Sequence, residues 1–398
     1  LLYSGATHRS GAVANTDIAT ALTNWLGEPI VIGSGSKLED RPEDDPVGRL
    51  HLLEAQARYQ SQSQAIVYVL VYASFAAIAL AGFSVFAGKR RGYLALACLP
   101  PTFFAALLAV TPLYLSPAVL GVACVAAGLA VAMVCATWSR FRCEYLAVVA
   151  VAVGLAAFVF QWYQSAAASY QIAGGARYFG IGNEYSGFFQ GAFLCLAASP
   201  LLGLARWGRW LGLVCVLVLA GAVGHPSVGA NAGDMLGGLI GFIAVGIVLL
   251  GKRGKRWALP GLAVALLLLA ALGALDASRP AESQSHIGRA VGEIASGGTS
   301  AAAAIVLRKL ELNMMLVRNS PWSLLLAAEC TGTISLLIAM KRKGAKTDIA
   351  QIQGLVALVV ALFILNDSGT LSGAAAGMWM FLAVSQQYSF ANNAIHAK

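Results

Sequence analysis

The chain has 398 residues, 58% hydrophobic and only 11% charged, with a formal net charge of +9. A soluble globular chain carries about 25% charged residues, so this deficit excludes an ordinary soluble protein and assigns most of the chain to lipid. The positive charge does not indicate nucleic-acid binding, because the basic residues lie in short clusters between apolar runs and not on one face.

Residues 1–64 form a polar preamble. Asn15-Thr16-Asp17 leads into IATALTNWLG, which predicts a helix with capping side chains and a terminal glycine. Residues 36–64 begin with the turn-rich acidic run SKLEDRPEDDP and continue as GRLHLLEAQARYQSQSQ, an amphipathic helix reaching the membrane. From residue 65 onward, apolar runs recur that are long enough to cross roughly 30 Å of hydrocarbon as helices. They fall at 65–87, 93–112, 115–138, 145–164, 187–203, 209–225, 235–251, 257–275, 321–340, 352–366 and 371–388. Pro100-Pro101 predicts a kink in the second run, and the carbonyls it frees need other donors. In the long connection 276–320, VLRKLELNMMLVRN alternates apolar and basic residues. It predicts either an amphipathic helix in the membrane interface or the first turns of the ninth span. The last two runs are separated only by Asn-Asp-Ser-Gly-Thr, a hairpin or one broken helix. The expected fold is an all-α polytopic integral membrane protein of about 11 transmembrane helices over residues 65–398.

Basic residues set the expected orientation. Lys89, Arg90, Arg91, Arg140, Arg142, Arg206, Arg209, Lys252, Arg253, Lys255, Arg256, Lys341, Arg342, Lys343 and Lys346 all fall in alternate loops. The intervening short loops contain only Arg177. This asymmetry predicts a cytoplasmic C-terminus and an extracytoplasmic N-terminal preamble. The seven cysteines show no CxxC or Cys/His spacing, so they read as small apolar packing residues, and no metal ligands are assigned.

The same topology gathers four polar motifs into one outer layer: GIGNEY (180–185), GHPSVGANAGD (224–234), SHIGR (285–289) and NDSG (366–369). Polar groups at a membrane edge are costly, which makes such a layer a site hypothesis. The candidate catalytic groups are the carboxylates Glu184, Asp234 and Asp367, with His225 and His286 as auxiliary bases. Arg177 is the candidate anion clamp. Asn183, Asn231, Asn366, Ser368 and Arg289 complete the candidate substrate-binding set. Three converging carboxylates would also offer oxygen ligands to a divalent cation. Each motif has a bland alternative: Asn183-Glu184 and Asn231-Asp234 as helix caps, and NDSG as a plain turn. The small residues Gly229, Ala230, Ala232, Gly233, Gly237 and Gly238 would let another backbone approach closely. Glu329 is an additional carboxylate midway along the ninth span.

The opening SGATHRSGAVANTDIATALTNWLG at Ser4–Gly27 resembles the C-terminal end of an alkaline-phosphatase-like domain, of the phosphopentomutase and sulfatase superfamily. That family carries a segment of the form G-(I/V)-V-x-N-T-D-I-A-P-T-(I/L)-L-x-x-x-G. Here Ala19-Thr20 lacks the intervening proline. RYFGIGNEY, GANAGD and NDSG resemble bacterial polytopic proteins in which such a domain precedes a multispan region. The resemblance implies that residues 1–35 are the remnant of an extracytoplasmic α/β domain whose nucleophile and metal ligands lie upstream of Leu1, with residues 36–64 as a linker. It implies a cell-envelope enzyme handling phosphate-ester groups, with a membrane lipid or lipid-linked glycan as partner and further membrane proteins as neighbours. The competing expectations are a transporter or flippase with broken-helix substrate sites and Glu329 on a proton path, and a structural membrane subunit.

Overall fold

In the computed structural model the described residues are all except 6, 8, 28–37, 87–89, 139–140, 163–165, 169–179, 200–206, 226–227, 280–283, 285, 345–346 and 397–398. The chain begins with a small sheet. β1 (Leu2–Ser4) pairs antiparallel with β2 (Arg9–Ser10) on one side and β3 (Leu38–Asp40) on the other. Residues 38–40 therefore join the N-terminal unit. Helix α1 (Asn15–Trp25) starts where the Asn-Thr-Asp triplet placed it. Asp17 is buried and its Oδ2 accepts from Ser4 Oγ (2.6 Å) and from the Ala14 amide (2.7 Å), so the triplet ties the helix start to β1 as well as capping it.

The remainder is helical. α2 (Pro46–Phe86) fuses the expected amphipathic helix and the first span into one rod of 41 residues. Its upper turns pack Tyr59 edge-on against Tyr114 (5.5 Å between centroids), at the turn that follows the second span. The Pro-Pro pair divides that span into α3 (Arg90–Ala97) and α4 (Leu99–Ala109). At the break the Cys98 carbonyl accepts both the Thr102 amide and Thr102 Oγ1 (2.7 Å), while the two prolines withhold amide donors from the preceding turn. There follow α5 (Pro117–Thr137), α6 (Cys143–Val159), α7 (Asn183–Ala197), α8 (Gly208–Gly224), α9 (Ala232–Leu250) and α10 (Lys252–Ala277). The chain ends with α11 (His286–Asn319), α12 (Pro321–Arg342), α13 (Ile349–Leu365) and α14 (Gly369–His396).

Among the described residues seven helices are long and apolar enough to cross a membrane, and α6, α13 and most of α8 are shorter apolar helices. α14 is the axis of the bundle. Residues 372–386 are buried without interruption, as expected of a helix apolar all round. Its run Gly373-Ala-Ala-Ala-Gly377 admits close neighbours. On α7, a Cβ at Gly187 would lie 2.1 Å from the Ser372 carbonyl oxygen, and one at Gly191 would meet Trp379 and Ala376. α9 and α13 meet in the same way, through Gly233, Gly237, Gly241 and Gly354.

α11 is longer than either expectation for residues 306–319, an interfacial helix or the first turns of the ninth span. It runs for 34 residues with a kink at Gly298 (φ 60°, ψ −142°), and residues 290–319 would suit a span by length and composition. Its anchors place it differently. The Gly288 amide donates to Asp276 Oδ2 (2.8 Å) at the C-terminal end of α10. Asn313 bonds the α13–α14 turn. α10 returns antiparallel along α9, so both anchors lie at the end of the bundle where α9 begins. α11 starts and finishes in one layer.

Candidate functional site

Three of the four polar motifs meet at that end. Gly180 (φ 88°) turns the chain so that the Ile181 amide donates to the Gly229 carbonyl (3.0 Å), which joins the first motif to the second. A Cβ at Gly180 would lie 2.4 Å from that carbonyl oxygen, so both the dihedral and the close approach require glycine. Asn183 then opens α7, Asn231 caps α9 and Asn366 ends α13.

The side chains of these three asparagines surround the carboxylate of Asp234. Asn231 Nδ2 donates to Asn183 Oδ1 (2.8 Å) and lies 3.1 Å from Asp234 Oδ2. Ser372 Oγ lies within reach of Asp234 Oδ2 and the Asn183 carbonyl (3.0 Å each). Asn366 Nδ2 is ringed by four acceptors: Asp234 Oδ1 (2.5 Å), Asn183 Oδ1 (3.0 Å), Asn231 Oδ1 (3.3 Å) and Ser372 Oγ (3.3 Å). An amide nitrogen has two protons, so it satisfies two of these at a time. Its orientation is fixed from behind, because Asn366 Oδ1 accepts the Ser368 amide (2.9 Å). All five groups are buried.

The capping reading and the cluster reading are both realised in the same residues. Asn231 Oδ1 accepts the Asp234 amide (3.2 Å), an N-cap bond, while its Nδ2 faces the cluster. α13 and α14 pack side by side, so NDSG is a hairpin turn and not a break in one helix. Gly369 there leaves no room for a Cβ, which would fall 2.1 Å from the Phe363 carbonyl oxygen. Asn313 of α11 clasps this turn, donating to the Asn366 carbonyl (2.7 Å) and accepting the Gly369 amide (2.9 Å).

Around this floor stand the groups that keep contact with the surroundings. His225 and Asp367 are exposed, while Glu184 and Ser368 are half-buried. Lys309 of α11 reaches the Leu365 carbonyl (3.5 Å) at the same turn. Among the described residues no group of three His, Cys, Asp or Glu is placed to hold a metal ion. Glu184, Asp234 and Asp367 therefore do not form the three-carboxylate cation site that their predicted convergence suggested: Asp234 is turned inward and bonded to amides, and Asp367 points outward. Arg177 and the side chains of His286 and Arg289 lie outside the described residues. The SHIGR backbone is tied to Asp276 and not to the three-motif cluster.

Ser372 and Asn313 were not singled out from sequence. Ser372 stands two residues past the polar run Asn366–Thr370, and Asn313 is the one amide within an otherwise apolar and charged stretch, so each carried a faint signal. A second buried network, at the opposite end of the bundle, went unread. Glu144 Oε1 accepts Ser199 Oγ (2.7 Å) and its Oε2 accepts Gln386 Nε2 (2.9 Å). Gln386 Oε1 accepts the Cys143 amide, and Gln351 Nε2 donates to the Cys195 carbonyl (2.8 Å). Glu144 lies beside the basic cluster of its loop, where a charged residue looks like an ordinary flank of an apolar run.

Comparison of the chain with protein-family models, with curated proteins and with solved structures finds no match.

Proposed function

We propose that this chain is the membrane component of a bacterial envelope enzyme that handles phosphate-ester groups on lipids or lipid-linked glycans. The amide–carboxylate cluster is then the rigid floor of a pocket at the outer face, and Glu184, His225, Asp367 and Ser368 form its working rim. One observation carries this reading: three motifs separated by up to 183 residues are hydrogen-bonded to one another at one end of the bundle. Described basic residues Arg142, Lys252, Arg253, Arg342 and Lys343 stand at helix ends away from the cluster. That arrangement supports the outward orientation by the positive-inside rule and the full count of about 11 spans. α11, bearing Arg308, Lys309 and Arg318, crosses the clustered end and supplies cationic groups for an anionic head group. On this reading the three-stranded sheet of β1, β2 and β3 belongs to an alkaline-phosphatase-like unit.

The experiment is photo-crosslinking of the purified chain with a photoreactive polyprenyl-phosphate probe. The expected adducts lie on peptides carrying His225, Asp367 or Lys309, and they fall when Asp367→Asn and His225→Gln are combined. Labelling confined to lipid-facing helices, unchanged in that variant, overturns the proposal.

A transport reading has one observation in its favour. Glu329 is fully buried in α12 against Gly377, and neither carboxyl oxygen has a hydrogen-bond partner among the described residues. It lies eight residues, about 12 Å of helix, below the start of α12. A polar group so placed is expensive and is retained where it does something. Proteoliposome uptake of a lipid-phosphate substrate that stops with Glu329→Gln would favour transport over catalysis.

A further inference from the structure

The seam between α12 and α14 holds a carboxyl that belongs neither to the Asp234 cluster nor to the Glu144 network. Glu329 is fully buried, and a Cβ at Gly377 would lie 2.1 Å from its Oε2, so the acid lies directly against the α14 backbone. One turn further along α12, on the same face, Thr333 is buried as well. Neither carboxyl oxygen of Glu329 nor the Thr333 hydroxyl has a hydrogen-bond partner among the described residues. α14 continues the pattern. Thr370 stands seven residues before Gly377 and Ser385 eight after it, about two turns either way on the same face. Both are buried, and both hydroxyls are without a partner among the described residues. Thr370 adjoins the NDSG turn, and Ser385 adjoins Gln386 of the Glu144 network. The seam is thus a spaced line of unpartnered polar atoms between the two ends of the bundle, with Glu329 near its middle.

The surroundings decide which form the acid takes. A carboxylate out of water needs donors or a cation. Across the seam α14 presents no acid or base from Thr370 to Gln386. α2 also packs on α12, and its residues 64–86 carry only the phenols of Tyr68 and Tyr72. The nearest charges of α11, Glu311 and Arg318, precede the start of α12. On α12 itself Cys330 interacts electrostatically with Glu329 but brings no positive charge, and the basic end begins at Lys341, about 18 Å of helix away. A metal ion is poorly matched too. Calcium takes about six to eight oxygen ligands, whereas the seam offers the two oxygens of Glu329 and the hydroxyl of Thr333. A proton needs one oxygen and removes the charge.

We propose that Glu329 is an intramembrane proton-binding site, whose carboxyl is neutral while α12 and α14 are packed together and gives its proton to water reversibly as the pH rises. The inference deepens the transport reading, on which it rests for any role in transport, by naming the ion. Its test needs no lipid substrate, so loss of proton binding and loss of lipid uptake are separate results.

The test is infrared difference spectroscopy of the purified full chain in phosphatidylcholine vesicles, stepped from acidic to alkaline pH and back. Wild type is expected to lose one C=O stretch of a protonated carboxyl as the pH rises and to regain it on return. Glu329→Gln keeps the shape and neutrality of the protonated acid, so it should abolish that band and leave any bands of Asp234 and Glu144 in place. Should Glu329→Gln fail to accumulate, Glu329→Asp gives the same readout, because a displaced carboxyl moves the band. A Glu329 band that persists unchanged over the whole range, or the absence of any protonated band that these variants alter, overturns the proposal. So does a band lost on adding sodium at constant pH, which would make a metal cation the ligand.

Discussion

The two ends of the bundle bury a carboxylate in the same manner and finish differently. At one end Asp234 is held by Asn231, Asn366 and Ser372; at the other Glu144 is held by Ser199 and Gln386. Among the described residues both carboxylates are held by neutral amide and hydroxyl donors, so a buried acid among such groups is a packing device found at both ends. The Glu144 network continues onto backbone through the Cys143 amide, and Glu144, Ser199 and Gln386 are all buried. The Asp234 network instead underlies a rim of exposed or half-buried His225, Asp367, Glu184 and Ser368. The two networks therefore differ in what stands over them: the Asp234 cluster has a polar rim and the Glu144 network has none of the same kind among the described residues.

That contrast can be broken most severely at the two acids. Asp234→Ala strands the amide protons of Asn231 and Asn366, and Glu144→Ala strands Ser199 and Gln386. Each is expected to cost about 3–5 kcal/mol and to lower yield and thermal stability in detergent. If Asp234→Ala is tolerated while Glu144→Ala is not, the Asp234 network is not structural and its carboxylate is free for chemistry. Gly187→Ala forces α7 off the Ser372 backbone and should cost about 1–3 kcal/mol, measured as a drop in melting temperature. Asn313→Ala removes the clasp on the α13–α14 turn and should cost about 1–2 kcal/mol, read as faster proteolysis near Gly298 with the rest of the bundle intact. Smallest in stability is the rim: Asp367→Asn and His225→Gln should each change it by less than about 0.5 kcal/mol, and the two combined should lower capture of the lipid-phosphate probe. A surface change such as Lys341→Gln at the opposite end should alter neither.

Much of this arrangement was legible in the sequence because membrane solvation leaves little choice. A run of apolar residues must be a helix, and loop charge fixes which ends lie together. Hence the predicted meeting of GNEY, GAN and NDSG is found as direct hydrogen bonds. What the count of loops could not give is orientation at the scale of one side chain. Asp234 and Asp367 stand in equivalent motifs, yet one points into the bundle and the other out, because Asp234 is on the third residue of a packed helix and Asp367 is at the tip of a turn. The sequence of α11 shows helix only in its second half, as an interfacial piece or the first turns of the ninth span, because its first half, rich in Gly, Ser and Ala, carries no strong period. Tertiary anchors at Asp276 and Asn313 extend it across the whole end. The Glu144 network escaped notice because Glu and Gln at helix ends look like solvated flanks until two such ends are brought together.

The central claim is that the end bearing the three-motif cluster faces outward. It is tested most directly by reacting a membrane-impermeant maleimide with intact right-side-out vesicles, in a background whose exposed Cys215 is replaced. The account predicts that Asp367→Cys is labelled at once and that Lys343→Cys is labelled only after the membrane is permeabilised. Immediate labelling at Lys343→Cys with protection at Asp367→Cys would contradict it.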